Sequence, residues 1–498
     1  MEKKVVRISV RNLVEFILRS GDLDSGSGVQ DKEAMQKGSR IHRKIQKQMG
    51  SSYRPEVSLK QDTEYEDLIL RVEGRADGIF TEEETVCIDE IKGVYKKLEH
   101  LESPVEVHRA QAMCYAWIYM LQNDLEKIDV QMTYAHLDTE EIRRFRESFS
   151  REELEAWYQK LTGEYHKWVS FRLKWQEKRN ASMKNLEFPF PYRKGQREMV
   201  AGVYHAVSSK KQIFVQAPTG VGKTMSSVFP SVRAIGEGKG ELLFYLTAKT
   251  ITRTVAQDAF EILRTKGLLF QTVTITAKEK LCFCEKTECT PEKCPWAKGH
   301  FDRVNDAVYE LWTAEQSFSR EKILEQAEKW KVCPFEMCLD LSVWVDGVIC
   351  DYNYAFDPNV HLKRFFGENI SGDHIFLIDE AHNLVERGRE MYSAGISRRS
   401  LVALRKKIKK RFSKLARTLD KANRQMMELE ENLAETGKGY QVLPNPGVLP
   451  ITFLTISGEL EEILEEKELE EELHQLTDDL LIDLFLCDLL VHYPADPA

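Results

Sequence analysis

The chain has no apolar run approaching the ~18 residues that a membrane-spanning helix needs. Its opening stretch, MEKKVVRISVRNLVEFILRSGDLD, carries basic side chains, but Arg11, Asn12 and Glu15 interrupt the apolar positions, which argues against a secretory leader. There is no excess of positive charge: 71 Lys and Arg against 80 Asp and Glu leave a net charge of −9, so composition gives no global signal for nucleic acid. A cytoplasmic protein without a membrane partner is the expectation, its ten cysteines serving as thiols or metal ligands rather than disulfides. The tight C-x2-C pairs of a zinc knuckle or ribbon are also missing. What the chain does have is 42% hydrophobic and 30% charged residues over 498 positions, enough for two to four packed domains at ~150 residues each. Oligomeric state is left open. Charge is uneven, with a basic run from Arg398 to Arg417 and an acidic one from Glu459 to Asp479. Both read as solvated helix faces; a phosphate-contacting surface is the alternative for the basic run.

The central segment QIFVQAPTGVGKTMSSVFPSV predicts a strand at Ile213–Val215, a glycine-rich turn and a helix. Ala217, Pro218, Thr219, Gly220, Val221, Gly222, Lys223 and Thr224 match a phosphate-binding loop except for the alanine at its first position. The glycines let backbone N–H groups close on phosphate oxygens, Lys223 adds a charge for the terminal phosphates, and the Thr224 hydroxyl can ligate Mg2+. HIFLIDEAHNLVE supplies the second half of such a site: a strand at Ile375–Ile378, then Asp379 to hold the Mg2+ and Glu380 to orient the attacking water. Either motif alone would fit an ordinary strand and helix. The two in order predict an ATP site.

Between them LCFCEKTECTPEKCPW places Cys282, Cys284, Cys289 and Cys294 in a short run, with Cys333, Cys338 and Cys350 further on. Uneven spacing across a long insertion suits an iron–sulfur cluster better than zinc, which stays the alternative. Cys338 and Cys350 read as core. The aromatics Phe283, Trp296, Phe301 and Trp312 read as packing or as stacking platforms for bases.

The first 170 residues hold four short motifs: GSRIH at 38–42, GRAD at 74–77, IDEIKG at 88–93 and QAMCY at 111–115. Asp77 and Glu90 on adjacent strands would share a divalent metal, with His42 as a further ligand. Lys92, on the same strand face as Glu90, would stabilise charge developing on a phosphate or activate water. Gln111 and Tyr115, four apart on a helix, would position DNA. Asp89 alternates to the other face and makes a poor ligand. EELEAWYQKLTGEYHKW onward predicts a long polar-aromatic helix and then a proline-containing linker.

In order, the four motifs resemble the RecB-like branch of PD-(D/E)XK nucleases. The loop with the DEAH tetrad (379–382) resembles superfamily-two helicases, and the cysteine segments resemble the XPD/DinG family of iron–sulfur DNA helicases. That resemblance implies a 4Fe-4S cluster on Cys282, Cys289, Cys294 and Cys333, with Cys284 a rival to Cys282 on geometry. It also implies adenine reading by Arg193 and Gln196, and DNA contacts from Thr247 and Lys249. The implied fold is α/β: a nuclease domain over 1–175, a RecA-like domain over 188–396 with a cluster insertion at 278–345, and a helical arch over 397–498. No Q-x-x-G-R-x-x-R element follows residue 382, so the chain reads as the front of a longer protein that turns ATP over poorly. The leading expectation is an ATP-dependent DNA helicase, 5′ to 3′ by resemblance, coupled to a nuclease using Mg2+ or Mn2+ on single-stranded or forked DNA in repair or processing. The alternatives are a structure-specific nuclease with an ATP-gated clamp, and a non-catalytic DNA-binding scaffold or redox sensor.

Overall fold

The computed structural model describes residues 3–24, 32–218, 220–248, 250–367, 370–443, 447–464 and positions 480, 481 and 484. Thr219, Lys249 and nearly all of the acidic run after residue 464 lie outside them. The chain divides into two compact units, residues 1–351 with 370–379, and residues 352–369 with 380–498.

The first unit opens with β1 (Lys4–Ser9) and α1 (Val10–Ile17). The Ser9 hydroxyl accepts the Asn12 amide and so satisfies one of the free N–H groups at the helix start. There follow α2 (Lys32–Gln48), β2 (Arg54–Glu64), β3 (Leu68–Glu82), β4 (Thr85–Val94), α3 (Glu106–Asn123), β5 (Lys127–His136) and β6 (Ile142–Ser150). The strands form a six-stranded mixed sheet in the order β1-β3-β4-β5-β6, with β2 also on β3. β1 pairs β3 and β4 pairs β5 in parallel; the remaining pairs are antiparallel. α1 and α3 bury Leu13, Val14, Met113, Trp117 and Ile118 in the main core, while Ile41 and Ile45 of α2 pack in a separate cluster with Ile91 and Leu137. Ile91 and Glu90 are neighbours on β4, so strand alternation sends one side chain to the α2 cluster and the other to the opposite face.

α4 (Arg151–Lys184) is closed at its start by a reciprocal cap between Ser150 and Glu153, a pairing written in the sequence as S-x-x-E. Its 34 residues span roughly 51 Å. Leu154, Tyr158 and Leu161 belong to the core of the first sheet, whereas Met183 and the following Leu186 belong to the core of the second. α4 ends at Lys184, and residues 185–195, which include Pro189 and Pro191, carry no helix or strand before α5, as the expected proline-containing linker would.

The second sheet is assembled from α5 (Gln196–Ser208), α6 (Lys223–Gly236), β7 (Leu242–Thr247), α7 (Thr250–Thr265), β8 (Thr272–Thr274), α8 (Lys278–Leu281), α9 (Val304–Ala314), β9 (Ser317–Phe318), α10 (Arg320–Trp330), α11 (Pro334–Leu341), β10 (Gly347–Asp351) and β11 (His374–Ile378). Its order is β11-β7-β10-β8-β9, with every pair parallel. All six positions of β7 are buried, as a strand covered on both faces requires. The strand predicted at Ile213–Val215 is not formed: residues 211–218 carry no ladder, and Phe214 is 90% exposed. A strand exists only through a partner, and among the described residues β11 pairs β7 alone, so the apolar triplet has propensity without a ladder to join.

The second unit is helical among the described residues: α12 (Asn353–Phe356), α13 (Lys363–Phe366), α14 (Leu384–Met391), α15 (Arg398–Ile408), α16 (Ser413–Glu435) and α17 (Leu449–Leu464). Leu401, Leu404 and Ile408 bury a stripe of α15 against Leu415 and Leu419 of α16 and Ile456 and Leu460 of α17. The basic side chains of α15 take the opposite side, although Arg405 is paired with Asp420 at 2.9 Å.

Candidate functional site

Three places bring expected site residues together. The first lies where β3, β4, α2 and α3 meet. Asp77 of β3 accepts the Ile91 amide of β4 at 2.7 Å, which fixes its carboxylate beside Glu90. Lys92 Nζ donates to Glu90 Oε1 at 2.9 Å, and His42 Nδ1 of α2 stands 3.6 Å from Asp77 Oδ1. Glu90 is buried, and its second oxygen, Oε2, has no hydrogen-bond partner. Burial first, and then the charge of Asp77, push its pKa up to about 7 against the opposing pull of Lys92. Burial alone would lower the pKa of His42, but its hydrogen bond to Asp77 and that group's charge win and raise it. A cation entering here would relieve both carboxylates.

Tyr115 of α3 is buried close to Glu90 and Asp77, and burial with their charges raises its pKa. A Cβ at Gly74 would stand 2.7 Å from the Tyr115 hydroxyl, so the glycine is what lets the tyrosine reach this corner. Gln111, one turn earlier on α3, is 4% exposed. Asp89 faces the other way and accepts three hydrogen bonds, from Tyr53 at 3.0 Å, Gln131 at 3.0 Å and Thr133 at 2.6 Å.

Two further residues belong to this corner. Gln46 Nε2 donates to the Asp77 carbonyl at 3.0 Å and ties α2 to β3; it lies four residues after His42, a helical spacing that could have flagged it. His108 precedes Gln111 by three on the same helix face and contacts Tyr134 at 3.2 Å. Burial, and then the charge of Lys92, lower its pKa to about 4, so it is a neutral imidazole.

The second site is the loop ahead of α6. Gly220 and Gly222 adopt left-handed φ values of +81° and +79°, which a side-chain-bearing residue rarely takes, and α6 starts at Lys223 directly after Gly222. Arg193 donates to the Gly220 carbonyl and Gln196 to that of Val221, while Gln196 Oε1 takes the Arg193 amide at 2.7 Å. These two residues hold the loop from outside. Ala217 and Pro218 lead into it without secondary structure, and Thr224 is half-buried on the first turn of α6. Met225, Val228, Phe229 and Val232 pack α6 against Leu243, Tyr245 and Ile375 of β7 and β11. β11 runs out into Asp379, whose amide donates to the Leu246 carbonyl at 2.9 Å. In the second unit, Glu380 is a non-glycine residue at φ +49°, with His382 Nδ1 3.4 Å from its carboxylate. Thr247 is buried, its hydroxyl paired with that of Thr252.

The third site is a pocket in the insertion between β8 and β10. Cys282, Cys284, Cys289, Cys294 and Cys333 all line it, together with Leu23, Lys278, Phe283, Trp296, Ala297, Pro334 and Phe335. Cys284 Sγ lies 3.9 Å from Cys294 Sγ, so it shares the pocket with the other four. Burial and the neighbouring thiols push its pKa up to about 12, while burial pushes that of Cys333 to about 11. Cys338 and Cys350 are fully buried away from it. Trp312 is buried and stacks on Trp168 of α4, and Phe283 packs on Trp296 at 4.8 Å. Among the described residues no group of three or more His, Cys, Asp or Glu side chains is drawn together as a metal ion requires, at this site or at the carboxylates. Among them also, no helix is long and apolar enough to cross a membrane.

A parallel sheet with a glycine-rich loop opening a helix and an acid ending the adjacent strand is the architecture of a P-loop nucleotide-binding domain. The DEAD_2 family model matches residues 269–401. The chain is 26% identical over 173 residues to the Fanconi anemia group J protein homolog of Gallus gallus, covering 31% of this chain and 14% of that protein. It is 23% identical over 271 residues to the regulator of telomere elongation helicase 1 homolog of Caenorhabditis briggsae, covering 46% of this chain and 27% of that one. A solved structure described as truncated XPD overlaps 60% of this chain and 81% of its own at TM-score 0.35 and 17% identity. The DEAD_2 model covers little more than a quarter of the chain, 133 of 498 residues, and the two curated relatives each match less than half of it. The chain spans well under a third of each of the two curated relatives.

Proposed function

We propose that the protein is an ATP-dependent DNA helicase with a metal-dependent DNA nuclease in its amino-terminal domain, working on single-stranded or forked DNA. The motor half is supported by the family match and by the loop at 217–224 opening α6. The observation that carries the nuclease half is the buried, unpartnered Oε2 of Glu90 beside Asp77, Lys92 and His42. A buried carboxylate oxygen without a donor is costly unless a ligand completes it, and a cation is the ligand it can accept.

Asp77, Glu90 and His42 would hold Mg2+ or Mn2+, which supplies Lewis-acid polarisation of a scissile phosphate when bound. Lys92, kept beside Glu90, is placed to balance negative charge growing on that phosphate. Tyr115, Gln111 and His108 line the α3 side and would set the strand's position. In the motor, backbone N–H groups at Gly220–Lys223 and the Lys223 ammonium would take the ATP phosphates, while Thr224 and Asp379 hold the nucleotide's Mg2+. Glu380 would orient the attacking water.

The thiol pocket fits a 4Fe-4S cluster in its chemistry: several thiols, apolar walls from Phe283, Trp296 and Phe335, and Lys278 beside Cys289 to offset thiolate charge. Cys282, Cys289, Cys294 and Cys333 would hold it, with Cys284 close enough to compete for Cys282's place. In the anaerobically purified chain, substituting Cys284 is expected to leave the brown colour and ~400 nm absorbance of a thiolate-held cluster, and substituting Cys333 to abolish both. Iron analysis with the spectrum checks this; the reverse result makes the local foursome 282–294 the ligand set.

A forked DNA with Mg2+ or Mn2+, with and without ATP, tests the whole reading. Cleavage unchanged by Lys92→Ala removes the nuclease, and strand separation surviving Lys223→Ala removes the motor. Lys223→Ala is also expected to weaken nucleotide binding by about 10- to 100-fold, the worth of one hydrogen bond to a charged group, measured by titration with a fluorescent nucleotide.

A further inference from the structure

The thiol pocket is not built by the insertion alone. Leu23, which follows α1 of the amino-terminal domain, lines it. The segment around Leu23 is held along its length. The Leu23 amide donates to the Ala297 carbonyl at 2.8 Å, and the Phe301 amide donates to the Gly21 carbonyl at 3.0 Å. Asp22 Oδ1 accepts the Gly299 amide at 2.6 Å, and Asp302 Oδ1 accepts the Gly21 amide at 2.8 Å. Just before it, Arg19 pairs with Asp340 at 2.7 Å and donates to Asn305 at 3.0 Å, and Asn305 in turn donates to the Phe16 carbonyl at 2.7 Å.

The four bonds of Gly21–Leu23 converge on one stretch of the insertion, residues 297–302, and on both neighbours of His300. His300 is fully buried, and its Nδ1 accepts the Cys333 amide at 3.1 Å, joining the loop that carries Cys294 to the turn that carries Cys333. A short strand-like strap from one domain therefore clamps the loop that holds two separated thiol-bearing segments of the other in register.

We propose that Gly21–Leu23 is a structural wall of the thiol pocket, a positioning segment that sets how fast the thiols, and any group they hold, exchange with solvent. The amino-terminal domain thereby controls retention of whatever the motor's insertion binds. The wall itself does not depend on the identity of that group; only its role in retention rests on the iron–sulfur reading.

The test uses the full chain with Leu23→Ala and Asp22→Ala, and with Arg11→Ala on the exposed side of α1 as control. In the reduced, metal-stripped protein, N-ethylmaleimide labelling is followed cysteine by cysteine by mass spectrometry. Leu23→Ala is expected to speed labelling of Cys284, Cys294 and Cys333 by about 5- to 30-fold, the effect of one or two kcal/mol on a local opening, with Cys114 in the first sheet's core unchanged. Asp22→Ala, which removes one bond from an exposed side chain, moves the same thiols less and gives the answer if Leu23→Ala unfolds the chain. Equal rates in wild type and both variants, or acceleration shared with Cys114 in both, overturns the wall. In the anaerobically purified protein, loss of ~400 nm absorbance under a chelator is expected to follow the same ranking. If the wild type carries neither iron nor absorbance, the cluster reading falls while the labelling still decides the wall.

Discussion

The Glu90→Gln chain is expected to lose metal-dependent DNA cleavage by roughly 10²–10³-fold or more, the scale on which removing one preorganised electrostatic contact slows a reaction. Its resistance to unfolding in chelator is expected to stay the same or rise. The two effects have one cause. Glu90 is held out of water with Oε2 unpartnered and Asp77 alongside, an arrangement that destabilises the metal-free fold. Glutamine keeps the shape, removes the charge, and offers an N–H that can donate to Asp77. An unsatisfied buried group costs about 1–3 kcal/mol, so a gain of up to that order in the unfolding free energy, measured by urea in chelator, is the signature of a residue kept for function rather than for stability. Cleavage at the wild-type rate, or a loss of stability exceeding that range, would point instead to an ordinary structural carboxylate.

Asp346→Ala is expected to destabilise the first unit by about 3–5 kcal/mol, the usual penalty for removing one partner of a buried ion pair. Asp346 accepts Arg179 Nη1 at 2.6 Å, Trp175 Nε1 at 2.8 Å and the Gln271 amide at 2.8 Å. Both charged side chains are almost fully buried. Removing the carboxylate strands a guanidinium, an indole N–H and a backbone N–H together. The double change Arg179→Leu with Asp346→Asn leaves no unpaired charge and keeps an acceptor, so it is expected to be milder than Asp346→Ala alone. Urea unfolding followed by tryptophan fluorescence separates the two, and a double variant no better than the single one would show that the pair itself is not what joins α4 to the second sheet.

How much could be read from the sequence differs by kind of signal. Glu90 and Lys92 share a strand face because strands repeat every two residues, and the same parity sends Asp89 to Tyr53, Gln131 and Thr133. The cap at Ser150 and the long helix after it are local, and so were legible. That Asp77, Glu90 and His42 meet, by contrast, depends on β3, β4 and α2 folding together, which no spacing states. Ile213–Val215 shows the converse, an apolar run whose strand could not be decided from its own residues because pairing belongs to the neighbour. The strap at Gly21–Leu23 bonds to residues more than 270 positions away, and nothing in GDL marks it.

α4 has a consequence beyond stability. A helix rooted in one core by Leu154 and Tyr158 and in the other by Met183 leaves the two domains no tether to swing on. Domains joined by a flexible linker meet each other's substrates at an effective concentration set by chain statistics, which falls as the linker grows. Here that statistical term is absent: under the proposed function, a strand handled by one domain would be presented to the other at a fixed span, at a local concentration set by the shaft rather than by chance encounter.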